Sequence, residues 1–435
     1  MIVLCKKNDR VICFPMISEL INKIKIQNHM NYALVDQVVV SGVNFSTGLF
    51  LAKVLGVEAF GIFSLLWMTP LLINSVQMAL ITSPMMSLGA KKTGAHAEVF
   101  NTQMVSLQLF FAIFTFVIIY SGISVFQVMR PDLEVEQYKL SLAFAGAFFQ
   151  TQDFVRRYLF CTGEFKRAVA NDVVSYGGQL IGLAVLAYSG MLTINSTLSI
   201  ISFTSLVAII IAIGHIEFRF TNLLGLKVSV LEIWQFSKWL LASAIVRWFS
   251  GNLSFIISGV ILGAASVGLM NAAQNLVAIS HILFQALENF MPSLASKKLI
   301  EEGKGGLALY VNHALVLGGL ITLFLVLVIA YFSSELMTFV YDDEYAKHSY
   351  IIYWFAPTYV LMYLSLVLQA GLRSLEVPKQ IFKSRLFAAI IMVVIVWPAI
   401  QIYGINGAMF AITLSMLTFT VSLHILFKLQ LEKLE

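Results

Sequence analysis

Long apolar runs recur along the whole chain, and they limit what it can become more than any other feature. Between charged or turn-rich breaks they fall at 33–52, 62–88, 99–120, 141–160, 169–189, 196–216, 236–262, 268–290, 309–332, 350–370, 386–402 and 406–427. A helix needs about 20 apolar residues to cross the roughly 30 Å of hydrocarbon in a bilayer, and each run is near that length. The runs are continuous rather than alternating, which selects helices over strands. In lipid a helix bonds its own backbone polar groups, as a spanning segment must. Composition decides one further point. Only 12% of the 435 residues are charged, about half the share of an ordinary globular domain. So apolar a surface calls for lipid as its solvent. The expected fold is all-α and integral to the membrane, with about 12 transmembrane helices in two six-helix halves around a central cavity. Two runs meet at Leu262-Gly263. Reading them as one helix of about fifty residues would overshoot any bilayer, so a tight turn is expected there.

Lys and Arg set the orientation. With the N-terminus inside, 23 of the 28 fall in inside segments; only Lys53, Arg130, Lys139 and Lys347 fall outside, and Arg247 is left within a run. Adding or removing one helix scrambles this segregation. The chain is therefore expected as a multi-pass protein of the cell inner membrane with both termini cytoplasmic. Its divisions are a cytoplasmic tail at 1–30, halves at 31–218 and 219–428, and a cytoplasmic end at 429–435. Lys6, Lys7, Arg10, Lys23 and Lys25 break up the first apolar patches, unlike a cleavable signal. Phe14–Ile26 fits a short surface helix, an unstructured tail, or an extension upstream of a start near Met30.

The outside segments, around Arg130–Tyr138 and Ser333–Tyr350, are short. They leave no room for an extracytoplasmic catalytic domain, and no enzyme activity is expected. Cys5, Cys13 and Cys161 lack metal or redox spacing, so neither metal nor cofactor is expected. No basic aromatic face points to nucleic acid.

An internal repeat supports the two halves. VLGVEAFGIFS after the first run and ILGAASVGLMN after the seventh share LG-x4-G, as Leu55-Gly56 with Gly61 and Leu262-Gly263 with Gly268. Each is followed by a polar-spotted run ending in proline and serine, at Ser83–Ser87 and Met291–Ser296. Copies starting at the first and seventh helices share one orientation, and their axis lies along the membrane normal.

Polar residues inside the runs mark the candidate site. An Arg at mid-helix costs about 2.5–3.5 kcal/mol on insertion scales, so Arg247 needs a reason. Ser243, Ser250, Gly251, Ser254 and Ser258 share its stripe on helix 7; helix 8 carries Asn271, Gln274, His281, Gln285 and Glu288. Helix 1 offers Gln37, Ser41, Asn44 and Gly48, and helix 2 offers Pro70, Asn74, Gln77 and Pro84. Helices 1, 2, 7 and 8 are thus expected to wall a wet cavity, with Arg247, Asn44, Asn74, Gln77, Gln274, His281 and Gln285 facing substrate. The serines and glycines fit interhelical packing better. Arg247 fits an anionic ligand or a carboxylate such as Glu288. Asp36 and Glu288 are the ion-coupling candidates, although Asp36, near the inner end of helix 1, is expected to be hydrated. Arg156, Arg157, Lys166 and Arg167 read chiefly as topology charges. Pro70 and Pro84 are expected to kink helix 2, and Pro292 to end helix 8.

Three segments carry a family likeness. NYALVDQVVVSGVNFSTGLFLAKVLGVEAFGIFS (31–64) resembles the first hairpin of polysaccharide (O-antigen type) flippases, of the multidrug/oligosaccharidyl-lipid/polysaccharide exporter superfamily. Arg156–Ala168 resembles that family's loop after helix 4, and Met337–Pro357 its turn into helix 10. The resemblance implies flipping of an undecaprenyl-diphosphate-linked oligosaccharide to the outer leaflet for lipopolysaccharide or other surface polysaccharide. Arg247 is then the cavity cation; membrane lipid and the polysaccharide polymerase machinery are implied partners. The competing expectation is a cation-coupled drug antiporter of the same superfamily, which an acidic cavity would favour. A polysaccharide polymerase or ligase needs larger outer loops than these. A major-facilitator transporter needs a charged, glycine-rich loop where SLGAKKTGAHAEVF stands.

Overall fold

The computed structural model describes residues 36–37, 39–89, 91–129, 134–216 and 226–433, with 226–229, 232, 279–283 and 285–290 described in backbone alone. Among these residues the chain forms twelve long helices. They are α1 (Val39–Leu55), α2 (Val57–Gly89), α3 (Ala95–Met129), α4 (Lys139–Cys161), α5 (Phe165–Tyr188), α6 (Ile194–Ala212), α7 (Leu226–Leu262), α8 (264–302), α9 (304–331), α10 (Ile351–Ser374), α11 (Pro378–Tyr403) and α12 (Ile405–Glu432). Two short helices, Ser333–Val340 and Asp343–Ala346, join α9 to α10. Nine of the twelve are long and apolar enough to span on their own. α1 is short over its described residues, while α4 and α8 carry polar turns. On α3, Phe110 is 65% and Ile113 64% exposed; a helix so apolar on its outer face has lipid as its surroundings.

The predicted runs and the helices agree in number, and Gly263, at φ 89°, makes the expected turn between α7 and α8. Two expectations need correcting. Pro292 does not end its helix: Ile279 onward runs through it, and the break falls at Gly303, at φ 67°. Only glycine adopts that backbone freely. The eleventh run, read as the shortest, belongs to a helix of 26 residues, because Pro378 starts α11 ahead of Lys379, Lys383 and Arg385. Proline suits a first helical turn, where its missing N–H has no partner to lose. Pro70 is accommodated within α2, and the Met78–Thr82 turn just before Pro84 is wound as π-helix.

α4 packs on α3 and α6, while α9 packs on α10 and α11 on α12. The two halves meet through α2 against α8 and α7. The repeat governs the first of these contacts. Gly56 (φ 78°, ψ 173°) and Gly263 (φ 89°, ψ 169°) turn the chain alike, and Val57 and Ala264 open the next helices. A Cβ on Gly61 would overlap the carbonyl oxygen of Ala264, and one on Gly268 that of Val57. Since 57 and 264, like 61 and 268, are equivalent in the repeat, the contact is self-complementary, as a two-fold axis requires. At the same end Tyr345 donates its hydroxyl to Ala52 O of α1 (2.9 Å), and Tyr341 to Ala272 O of α8 (3.0 Å). Both tyrosines are buried. Lying between the spanning segments, they have phenol pKa values that burial pushes up, so they stay neutral donors.

Candidate functional site

A cavity of about 560 Å³ opens in the C-terminal half, walled by α7, α8, α10, α11 and α12. Three arginines line it: Arg247 from α7, Arg373 from α10 and Arg385 from α11. No carboxylate stands among its described lining residues. Arg247 lies near the middle of the apolar stretch Ile233–Leu262 and is exposed. The Arg385 guanidinium lies 4.4 Å from the Phe419 ring centre and donates Nη2 to Gln369 Oε1 (3.3 Å). Stacking on a ring orients a guanidinium.

The helix 7 stripe divides between two roles. Ser250 and Gly251 line the cavity beside Arg247. Ser254 and Ser258 are buried instead, and Ser254 donates to Ala408 O of α12 (2.9 Å). From α8, Gln274 and Asn275 reach the cavity. The side chains of His281, Gln285 and Glu288 lie outside the described residues, and with them the Arg247–Glu288 pairing. Asn44 is on an exposed face of α1, and Asn74 is half-buried on α2. Gln77 is fully buried, donating to Gln108 Oε1 of α3 (3.0 Å); it faces its own half. The four-helix wall expected from helices 1, 2, 7 and 8 is thus not the wall of this cavity. Helices 10 and 11 supply two of its three cations, and α10 adds Thr358 and Ser365 from its middle turns.

The N-terminal half holds a second charged site of opposite sign. Arg156 of α4 is buried among three carboxylates: Nη1 lies 3.5 Å from Asp36 Oδ2 and 3.2 Å from Asp172 Oδ2, and Nη2 lies 3.4 Å from Asp153 Oδ1. Arg157 Nε donates to Asp153 Oδ2 (3.0 Å). Gln152 Nε2 donates to Asn171 Oδ1 (3.0 Å) and Asp172 Oδ1 (2.7 Å). Asp36 is therefore buried in an ion-pair network, not hydrated as its place near a helix end led us to expect. The physical reason is α4: Gln152 and Arg156, four residues apart on one face, turn inward to Asp172 of α5 and to Asp36 rather than to the aqueous mouth. Fully ionised, three carboxylates against two guanidiniums leave one negative charge. Asp36 Oδ1 is buried and, among the described residues, unbonded. That surplus charge gives the cluster a place for one added proton.

The two sites occupy matching hairpins. The α4–α5 turn has Gly163 at φ 82°, with Gly163 N–H donating to Phe160 O and Glu164 N–H to Leu159 O. The α10–α11 turn has Glu376 at φ 57°, with Glu376 N–H donating to Arg373 O and Val377 N–H to Leu372 O. Seven residues before these turns stand Arg156 and Gln369; nine after stand Asp172 and Arg385. Arg156 bonds Asp172, and Arg385 bonds Gln369. The geometry is repeated while the charge is reversed.

No family model matches the chain, and no curated protein matches it. Solved structures do. The chain is similar to the inward-facing conformation of a multidrug resistance MATE family transporter of the MOP superfamily, with TM-score 0.76 and 13% identity over 92% of this chain and 95% of that one. Against an outward-facing conformation of such a transporter the TM-score is 0.65, at 13% identity over 94% and 96%. Against the lipid II flippase MurJ, inward closed, it is 0.69, at 12% identity over 93% and 90%. At such identities the likeness is one of fold: twelve transmembrane helices in two halves. The chain is thus a multi-pass membrane protein with the architecture of that superfamily. These likenesses run to MATE transporters and a lipid II flippase, and do not reach the O-antigen branch.

Proposed function

We propose that this protein is a transporter, not an enzyme, that flips a polyprenyl-diphosphate-linked oligosaccharide from the cytoplasmic to the outer leaflet by alternating access, for surface polysaccharide assembly. The observation that carries this reading is the C-terminal cavity, into which Arg247, Arg373 and Arg385 converge from three helices. A diphosphate is too polar to cross hydrocarbon. Arginine forks replace its water with charge-assisted hydrogen bonds, and the amides Gln274, Asn275 and Gln369 suit sugar hydroxyls. Asn44, Asn74, His281 and Gln285 extend the same path in this reading, with the α1–α2 turn at the outer end. The better match to an inward-facing relative, and the closure of the halves at that turn, support a state loaded from the cytoplasm. Asp36, with Asp153 and Asp172 around Arg156, takes the coupling proton or cation; Glu288 is the other candidate.

The drug-antiporter reading rests on that acidic cluster and on the MATE likeness. It requires a cationic cargo, which three arginines would repel. Complementation of a flippase-deleted strain separates the two. Arg247→Ala is expected to insert normally and give no surface polysaccharide; normal polysaccharide in that variant would defeat the role.

A further inference from the structure

The arginine cavity accommodates a head group, yet a lipid-linked substrate must also keep its tail in hydrocarbon while the head is inside. We propose that the seam between α2 and α7 is the lateral portal, and that the groove on its lipid side holds the substrate's polyprenyl chain. This rests on the flipping function proposed above and names the place through which that substrate enters.

The groove has a volume of about 360 Å³ and every side chain lining it is apolar. Ile81 comes from α2, Phe110 and Phe114 from α3, and Val230, Ile233 and Trp234 from α7. It is therefore built from both halves, as a passage between them must be. A second apolar crevice, of about 420 Å³ between α4 and α6, lies wholly within the N-terminal half and includes Ser199 and Ser202. Ordinary membrane lipid fills a crevice of that kind.

Behind the groove the seam is shut by Ile233, buried against Ile81 and its neighbours. On the same face of α7, one turn on, Ser237 is fully buried; Thr82, next to Ile81 on α2, is fully buried as well. Neither hydroxyl has a hydrogen-bond partner among the described residues. Burying unpaired hydroxyls is costly, and a permanent seam would fill these places with apolar or mutually bonded groups. Opening lets water or a passing phosphate oxygen bond them. The same stretch of α2 is its π-helical turn, Met78–Thr82, followed by Pro84; loosened winding of this kind marks points where helices give. Toward the other end α2 and α7 are tight: a Cβ on Gly259 would lie 2.8 Å from Leu65 Cδ1. One end of the seam is thus fixed and the other yields. α7 also links tail to head. Arg247 stands fourteen residues beyond Ile233, about 21 Å along the helix and turned from it by only about 40°.

The test uses the full-length protein in proteoliposomes holding a radiolabelled polyprenyl-diphosphate oligosaccharide in excess phospholipid. A photoreactive residue replaces Phe110 or Trp234 in the groove, or Phe203 in the α4–α6 crevice as control. The groove positions are expected to capture about tenfold more label than position 203, the ratio given by 1.4 kcal/mol of preference. Equal capture means bulk lipid occupies both, and overturns the proposal. A second measurement bridges an Ile81→Cys, Ile233→Cys pair with a cleavable thiol reagent. Flipping is expected to stop and to return on cleavage. Unchanged flipping through the bridged seam removes the portal but leaves the transport function standing. Failure of the unsubstituted protein to flip this substrate defeats the function, and the portal with it.

Discussion

Arg156 touches three aspartates, Asp153 on its own helix, Asp172 on α5 and Asp36 ahead of α1, and its removal tests whether the cluster is structural as well as functional. Arg156→Ala leaves Asp36, Asp153 and Asp172 buried together with only Arg157 opposite, and stripping one partner from a buried ion network costs about 3–5 kcal/mol. The variant should melt well below the parent in detergent; an unchanged melting temperature would mean that water already screens the site. The close approach of the halves makes a second prediction. Gly61→Ala or Gly268→Ala puts a Cβ onto a backbone carbonyl of the partner helix, where no flexible side chain can give way. A loss of about 1–3 kcal/mol is expected, read as reduced thermal stability, whereas alanine at Gly251, where nothing lies within 4 Å, should be tolerated. At this scale the sequence was only partly legible. Arg247 stood out because a lone cation in an apolar run is conspicuous. Arg156, Arg373 and Arg385 did not, because arginines near helix ends are what topology alone requires. A sequence cannot say whether such a side chain snorkels outward or turns into the bundle.

Helix ends and turns hold the site in place. The Gly56 and Gly263 turns were legible, since LG-x4-G is repeated in letters as well as in shape. The paired α4–α5 and α10–α11 turns were not, because one uses Gly163 and the other Glu376 at the left-handed position. Pro292 misled for a related reason: proline in a long membrane helix is tolerated where neighbouring groups take up the freed carbonyl, and the glycine eleven residues on does the breaking. The segment between α9 and α10 carries its own prediction. Tyr345 bonds Ala52 across the halves while Tyr341 bonds Ala272, so this segment clasps the α1–α2 end. Tyr345→Phe deletes one buried hydrogen bond, worth about 0.5–1.5 kcal/mol. Spin labels on α1 and α8 at that end should then show a broader distance distribution, with a longer component; an unchanged distribution would show that the glycine contact alone holds it shut.

For the whole molecule the notable feature is reversed polarity on a repeated frame. Two similar halves close against each other at a two-fold glycine contact; one buries an acidic cluster around Arg156, and the other opens an arginine-lined cavity. An apolar chain of this length announces its fold through the spacing of its runs, which is why twelve helices in two halves could be expected from residues alone. Where the cavity sits depends on which helix faces turn inward, and low-contrast apolar faces conceal that. The account stands on the arginine cavity binding the diphosphate of a lipid-linked sugar. The direct measurement is translocation of a polyprenyl-diphosphate oligosaccharide in proteoliposomes by the parent protein and by a variant with Arg247, Arg373 and Arg385 all changed to Gln. The parent should move the lipid to the far leaflet, and the inserted, folded variant should not. Equal transport by both would contradict the account.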